Sequence, residues 1–436
     1  MQLLSILIFA IYQIIQIILL PLLPIYLLIR KIKNKPAFGN PKERIGLVPK
    51  NKNIQNTIWI HAVSVGEILS IQNLIDQIKE KNKNICCYVT TGTITGKKIA
   101  IKNLNADYIS FLPYDFLIPM FLAFKRIKPK SLIIVEAETW PNLIFIARWL
   151  KIKTFLINAR ISKRSEKKYF LFKFLFKNIL QKFKLILTQS KKDKDLFTKL
   201  DIDKNKIKIL GNIKTLNVLA KKNKIKPATL INEFPTLLIG SIHAGELDTY
   251  LELYKKLKND FKNLKLIIAP RHFYWKNELI KKIKINKFKF FLWDKENQIN
   301  KYNSNLIEFV NKIFTTNDVL LVCKLGELFN LYKITDIFFL GGTFVNIGGH
   351  NLLEPAVWAK TSIIGPYYQN CKDVADKLEK VGGIIKVKNF IQLYKETSKL
   401  LKNRVLKEKR GENSYDWLKQ EAFYVQKNIN NLIKKL

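Results

Sequence analysis

Apolar residues fall along this chain in short uninterrupted blocks, and between the blocks they recur every three or four positions. Ile58, Trp59 and Ile60 read as a buried strand, Ser64 and Gly66 permit a tight turn, and Ile68, Ile71, Leu74, Ile75 and Ile78 then return at helical spacing. The same alternation predicts strands over Ile85–Thr91, Tyr108–Leu112, Ser131–Val135, Thr154–Ile157, Leu185–Thr188 and Ile207–Leu210. A polar, Lys-rich passage from Asn217 to Phe234, closed by Pro235, interrupts it. A second series follows at Leu237–Ile239, Leu266–Ala269, Phe288–Trp293, Val319–Val322, Ile337–Leu340, Ser362–Ile364 and Ile384–Val387. Repeated strand–helix units imply α/β architecture, with two Rossmann-like domains in series facing a cleft to which each gives its carboxyl edge. The expected division is a membrane anchor over 1–30, a first domain over 31–216, a linker over 217–235, a second domain over 236–412 and a terminal helix over 413–436. Whether that last helix crosses back to the first domain is open at this level.

Residues 1–29 carry no charged side chain, and Arg30, Lys31, Lys33 and Lys35 follow. About 20 apolar residues span a bilayer, and the positive-inside rule leaves the basic side, with the rest of the chain, in the cytoplasm. The run is too long for a cleaved signal peptide, no basic residue precedes it, and it lacks an A-x-A site. Pro21 and Pro24 can break the helix, so a segment lying in the membrane interface is the competing form.

Charge narrows the partners. The chain has 76 Lys and Arg against 34 Asp and Glu, a net +42 at pH 7. Such a balance suits nucleic acid, an anionic membrane or an acidic substrate. The basic residues are spread throughout, with no RGG tract or aromatic RNA-binding signature, so the expectation is a membrane surface and no nucleic acid. Cys86, Cys87, Cys323 and Cys371 have neither zinc-site spacing nor a disulfide framework, which points to a reducing compartment.

Candidate chemistry gathers at strand ends. Each of the four histidines, His61, His243, His272 and His350, follows an apolar block. Carboxylates do the same: Glu67, Glu136 and Glu138, Glu246, Glu327 and Glu354. Glu67 lies where a strand hands over to a helix, a place at which an acid also simply complements the helix dipole. TTGTITGKK at 90–98 lacks the spacing of a phosphate loop, and structural turns explain it equally well. Gly341, Gly342, Gly348 and Gly349 bracket a loop leading to a helix near Asn351, whose N–H groups are candidates to hold an anion, with Glu354 placed to accept from ribose hydroxyls. Arg271 ends a strand where a guanidinium can pair with a phosphate. No DxD follows a strand, and Asp193 and Asp195 sit at a helix start where capping accounts for them, so no metal is expected.

Ten motifs in order, HAVSVGE, TTGTITG, LPYD, EAETWPNL, NARIS, GNIK, APRH, LGEL, GGHNLLEP and GPYYQNCKD, closely resemble the 3-deoxy-D-manno-octulosonic acid (Kdo) transferases of lipopolysaccharide synthesis. The resemblance runs from the apolar N-terminus, through KERIGL at 42–47, to about residue 380. It implies a GT-B fold and inverting, metal-independent transfer of Kdo, without a cofactor, from CMP-Kdo to the lipid A precursor (lipid IVA) at the inner membrane, with the catalytic domains on the cytoplasmic side. Carried over by motif, Glu67 is the general base, kept ionised by its helix-start setting, and Glu136 and Lys214 stabilise the transition state. Pro270 and Arg271, the turn Leu325, Gly326 and Glu327, and Asn351, Leu352, Leu353 and Glu354 match the CMP-binding segments. The chain departs from the family pattern at Cys323 with Lys324, at Pro355 and at Asn212. The alternatives are a GT-B transferase for another nucleotide sugar and an inactive membrane-anchored nucleotide-binding module.

Overall fold

The computed structural model describes residues 2–22, 28–29, 32, 39–52, 56–136, 138–161, 163–225, 233–294 and 306–436. The chain divides into two compact units, Met1–Asn217 with Glu421–Leu436, and Val218–Gln420.

The first unit is built on a parallel sheet of β1 (Thr57–His61), β2 (Cys86–Thr91), β3 (Tyr108–Phe111), β4 (Ser131–Val135), β5 (Lys153–Ala159), β6 (Leu185–Thr188) and β7 (Ile207–Ile209). Its spatial order is β3-β2-β1-β4-β5-β6-β7. Strands β1, β2 and β4 are buried along their whole length because helices cover both faces, so side chains of either parity are covered, whereas the edge strand β7 leaves Lys208 exposed. Trp59 shows how polar remnants are handled: wholly buried against Phe124, it donates its indole N–H to Thr90 Oγ1 at 2.9 Å.

The second unit repeats the plan with β8 (Thr236–Ile242), β9 (Lys265–Pro270), β10 (Phe290–Trp293), β11 (Val319–Val322), β12 (Ile337–Leu340), β13 (Thr361–Ile364) and β14 (Ile384–Lys386). The order is β10-β11-β9-β8-β12-β13-β14, again parallel throughout. Each sheet therefore reverses its winding once, between β1 and β4 in the first unit and between β8 and β12 in the second. Ligands of open α/β sheets bind at such switch points.

One expectation is left without support and two are corrected. The segment expected as a membrane anchor over 1–30 forms an 18-residue helix, Gln2–Leu19, ending in a 3-10 turn at Leu20–Leu22 that contains Pro21. At a rise of ~1.5 Å per residue it reaches about 27 Å, and among the described residues no helix is long and apolar enough to cross a membrane. One side of this helix is tied to the first unit. Tyr12 OH donates to Asp115 Oδ2 at 2.9 Å, Gln16 Nε2 to the Asp115 carbonyl at 2.6 Å, and Gln13 Nε2 to Asn142 Oδ1 at 2.7 Å. Ile11, Ile14, Ile15 and Ile18 remain exposed. Residues 1, 23–27 and 30 of the expected anchor lie outside the described residues.

The passage expected as a linker over 217–235 begins as helix. Lys214–Asn223 is helical and buries Leu216 and Val218, and its lysines are engaged, Lys214 with Glu136, Lys221 over the Phe329 ring at 3.9 Å and Lys222 over the Tyr415 ring at 3.9 Å; residues 226–232 lie outside the described residues. Strand β10 starts at Phe290, two residues later than the apolar pattern suggests.

At the C-terminus, the helix Arg404–Ile433 carries residues that group with the first unit. Gln426 Nε2 donates to Gln77 Oε1 at 2.6 Å, Lys81 Nζ to Asn430 Oδ1 at 2.7 Å, and Ser131 Oγ to the Leu436 carbonyl at 3.1 Å.

Candidate functional site

In the first unit the residues singled out by sequence meet at the exits of β1 and β4. Ser64 caps the helix Val65–Ser70, its Oγ accepting from the Glu67 N–H at 3.3 Å. That places Glu67 in the first turn, 7% exposed, with Oε2 accepting from the Val63 N–H and Oε1 from Ser64 Oγ, each at 2.8 Å. A carboxylate has about four lone-pair sites, so acceptor capacity is left over. The helix start does not set its ionisation. Burial pushes the carboxyl above the usual range, the bonds from Val63 and Ser64 oppose this, and the charge of Glu136 adds to it.

Glu136 leaves β4 in the left-handed region, φ 62°, a costly conformation for a residue with a side chain. Asn158 at the exit of neighbouring β5 does the same, φ 52°, and is fully buried. The Glu136 carboxylate draws in two cations: Arg160 Nη2 at 3.3 Å and Lys214 Nζ at 3.9 Å. Lys214 opens the helix Lys214–Asn223, where the Asn212 carboxamide accepts from the Lys214 N–H at 3.1 Å. The departure from the family residue at 212 thus leaves the turn capped.

Sequence reasoning named Glu138 without giving it a role. Burial, then the charges of Glu67 and Glu136, push its carboxyl up to about 7. Two acids spaced i, i+2 just past a strand are the signal that could have found it. Three carboxylates thus interact at one switch point, with Arg160 and Lys214 as their counter-charges.

The surrounding loops are braced by KERIGL. Arg44 donates to the carbonyls of Leu112 at 2.9 Å and Gly92 at 2.6 Å, while buried Glu43 pairs with Lys97 at 2.6 Å and accepts from the Phe111 N–H at 2.6 Å. With Lys97 paired and Thr93 capping the helix Ile94–Asn103, TTGTITGKK is a structural turn. His61 is fully buried, its Nδ1 on Thr90, and burial holds it near 4, so it is neutral.

In the second unit Arg271 follows β9 and is exposed; among the described residues no carboxylate pairs with it. Pro270 ends the strand. Leu325 is 87% exposed beside Gly326, φ 92°, and Glu327 pairs with Lys324 at 2.9 Å. Asn351 Oδ1 accepts from the Leu353 N–H at 2.9 Å, Leu352 and Leu353 are buried, and burial raises the Glu354 carboxyl with Lys221 opposing.

The glycine loop does not present free N–H groups as expected. Gly342, Thr343 and Phe344 donate to Glu246 at 2.7, 3.0 and 2.9 Å, and Gly348 and Gly349 donate to the Gly342 carbonyl. The helix beyond is five residues, Leu353–Val357. The loop N–H groups of Gly342, Thr343, Phe344, Gly348 and Gly349, and that of Leu353 at the helix start, are thus engaged within the protein.

Comparison with known proteins gives the family and the fold. The family model described as 3-deoxy-D-manno-octulosonic-acid transferase (kdotransferase) matches residues 40–217. A 3-deoxy-D-manno-octulosonic acid transferase of Aquifex aeolicus is 32% identical over 364 residues, 83% of this chain and 89% of that protein. The chain belongs to the Kdo transferase family. A bifunctional glycosyltransferase/methyltransferase of Fusobacterium nucleatum is 35% identical over 331 residues, 74% of this chain, which spans 49% of that protein. The solved UDP-GlcNAc 2-epimerase from Neisseria meningitidis superposes with a TM-score of 0.61 at 13% identity, covering 87% of this chain and 100% of that one. That likeness establishes the fold: this Kdo transferase family member has a GT-B-like architecture of two α/β domains with parallel sheets.

Proposed function

We propose that the protein transfers Kdo from CMP-Kdo to the lipid A precursor, lipid IVA, with inversion at the anomeric carbon and without a metal or cofactor. The observation that carries this reading is Glu67, a buried carboxylate of raised proton affinity with spare acceptor capacity, at a switch point shared with the Glu136–Lys214 pair. Glu67 takes the proton from the attacking sugar hydroxyl; the oxygen bonds to the anomeric carbon as the bond to CMP breaks. Lys214 and Arg160 answer negative charge in the transition state, and Glu136 holds both. The donor is bound through Arg271, the Leu325–Glu327 turn and the Asn351–Glu354 segment.

The acceptor reading is supported by charge and by the N-terminal helix. A phosphorylated, acylated acceptor suits a chain of net charge +42, each basic residue near an anionic surface adding ~1 kcal/mol. The exposed isoleucines of Gln2–Leu19 suit an interfacial helix at the inner membrane, with the catalytic units on the cytoplasmic side. The decisive experiment is mass spectrometry of the product from purified protein, CMP-Kdo and lipid IVA. A mass gain of one or more Kdo units is expected; gain only with a UDP-sugar donor, or none with either, refutes the proposal.

A further inference from the structure

Three of the four histidines cluster at the second switch point, and the proposed reaction assigns them nothing. His243 leaves β8, and His350 closes the glycine loop that leaves β12. Their rings stack at 5.0 Å with planes 9° apart, and their Nε2 atoms are 2.7 Å from each other. Two ring nitrogens at that distance share a single hydrogen, one donating and the other accepting. His272 stands edge-on to His243 at 5.9 Å, and Trp275 at 5.7 Å.

Apart from the buried Glu246, the charges around the pair are positive. Arg271 and His272 come from the β9 exit, with Tyr274 stacked on His272. Glu246, on the turn after His243, is 0% exposed and is saturated by the N–H groups of His243, Gly342, Thr343 and Phe344. Cys371 lies behind Gly349 as a buried thiol whose ionisation is pushed up to about 12. Among the described residues no carboxylate forms an ion pair with Arg271, His243 or His350. Burial and then Arg271 hold His350 near 4, and burial, His272 and Arg271 lower His243. The pair is therefore neutral at pH 7, beside a guanidinium that no carboxylate among the described residues pairs with.

We propose that His243 and His350 form a proton-coupled latch for the donor's phosphate: when the phosphate settles against Arg271, the pair takes up one proton and its imidazolium shares the anion. The bond between the two Nε2 atoms survives this step, because the added proton goes to the free nitrogen of the donating ring. An incoming anion supplies the negative charge that the cluster lacks, which reverses the effect of Arg271 on the pair. The latch rests on the nucleotide-donor reading above.

The test is calorimetry of the full chain with the methyl ester of CMP, a phosphodiester that stays singly charged, whereas a monoester loses its second proton near pH ~6. Titrations in buffers of different protonation enthalpy count the protons. The expected result is uptake approaching one proton per site at pH 6 and vanishing by pH 8, with affinity about tenfold higher at the lower pH. The double variant His243→Gln, His350→Gln should bind more weakly with no uptake. NMR of histidine-labelled wild-type protein needs no substitution, and its ring signals for His243 and His350 should move toward imidazolium on binding at pH 6. Binding with constant affinity and no uptake overturns the latch and leaves the donor reading standing. Failure of the ester to bind at any pH overturns the donor reading and the latch with it.

Discussion

Glu67 and Glu246 occupy matching places, each following the first strand of its sheet and accepting the N–H of a residue three or four positions back, yet their surroundings differ. Glu67 meets two donors and keeps acceptor capacity, whereas Glu246 meets four backbone N–H groups and is sealed from solvent. One is free for chemistry and the other is a clamp. Their substitutions should separate accordingly.

Glu67→Gln removes the proposed base while keeping most of the cap. Transfer from CMP-Kdo should fall by a factor of ~10² to 10⁴, with unfolding free energy changed by no more than ~1 kcal/mol. Activity within a few fold of wild type would remove Glu67 from its role.

Glu246→Ala strands four N–H groups in a buried loop. Each unsatisfied buried group costs ~1–3 kcal/mol, so a loss of roughly 3 kcal/mol or more is expected in urea unfolding even after the loop relaxes. Near-wild-type stability would show that the loop holds itself.

Glu136→Gln should shift the acid limb of the rate profile. Glu67 must be ionised to act, and the charge of Glu136 raises its proton affinity, so removing that charge moves the limb to lower pH. A limb that stays in place, or moves to higher pH, contradicts the coupling. The absolute rate should fall as well.

Asp115 gives a stability signature of definite sign. Burial pushes its carboxyl up to about 6 from an ordinary 3.8, against the N–H groups of Asn142 and Leu143 and the Tyr12 hydroxyl. The folded protein then holds this proton more tightly than the unfolded chain, so the Asp115 contribution to stability falls as pH rises from about 4 to about 6. Asp115→Asn should flatten the stability profile in that window, and an unchanged slope would assign it to other groups.

Ile14→Asn with Ile18→Asn places polar groups on the exposed side of the N-terminal helix while leaving Tyr12, Gln13 and Gln16 intact. Burying one isoleucine contributes ~1.5–3 kcal/mol, so sedimentation with anionic phospholipid vesicles should weaken at least tenfold. Equal sedimentation would place membrane contact elsewhere.

The inner strands, such as β1, β4, β11 and β12, were legible because they are buried on both faces and so form apolar blocks. Glu67, Glu136 and Lys214 were legible as motif positions, and the ion pair of Glu136 with Lys214 is a contact across distant strand exits that no local pattern encodes. Three features were hidden for similar reasons. The glycine loop looks like an anion cradle until Glu246 is seen to occupy its donors. The ties of the N-terminal helix to the first unit were hidden because Tyr12, Gln13 and Gln16 are uncharged and few within an apolar run. Lys221 and Lys222 resemble part of a linker because composition does not show the Phe329 and Tyr415 rings on which they lie.

The inverted backbone at Glu136 has a further consequence. A glycine there would sit at ease and spare the chain about 1 kcal/mol or more, so position 136 is one where the sturdier protein and the working protein call for different residues. Selection for thermal robustness alone should therefore drift toward Glu136→Gly and, by the same step, toward silence.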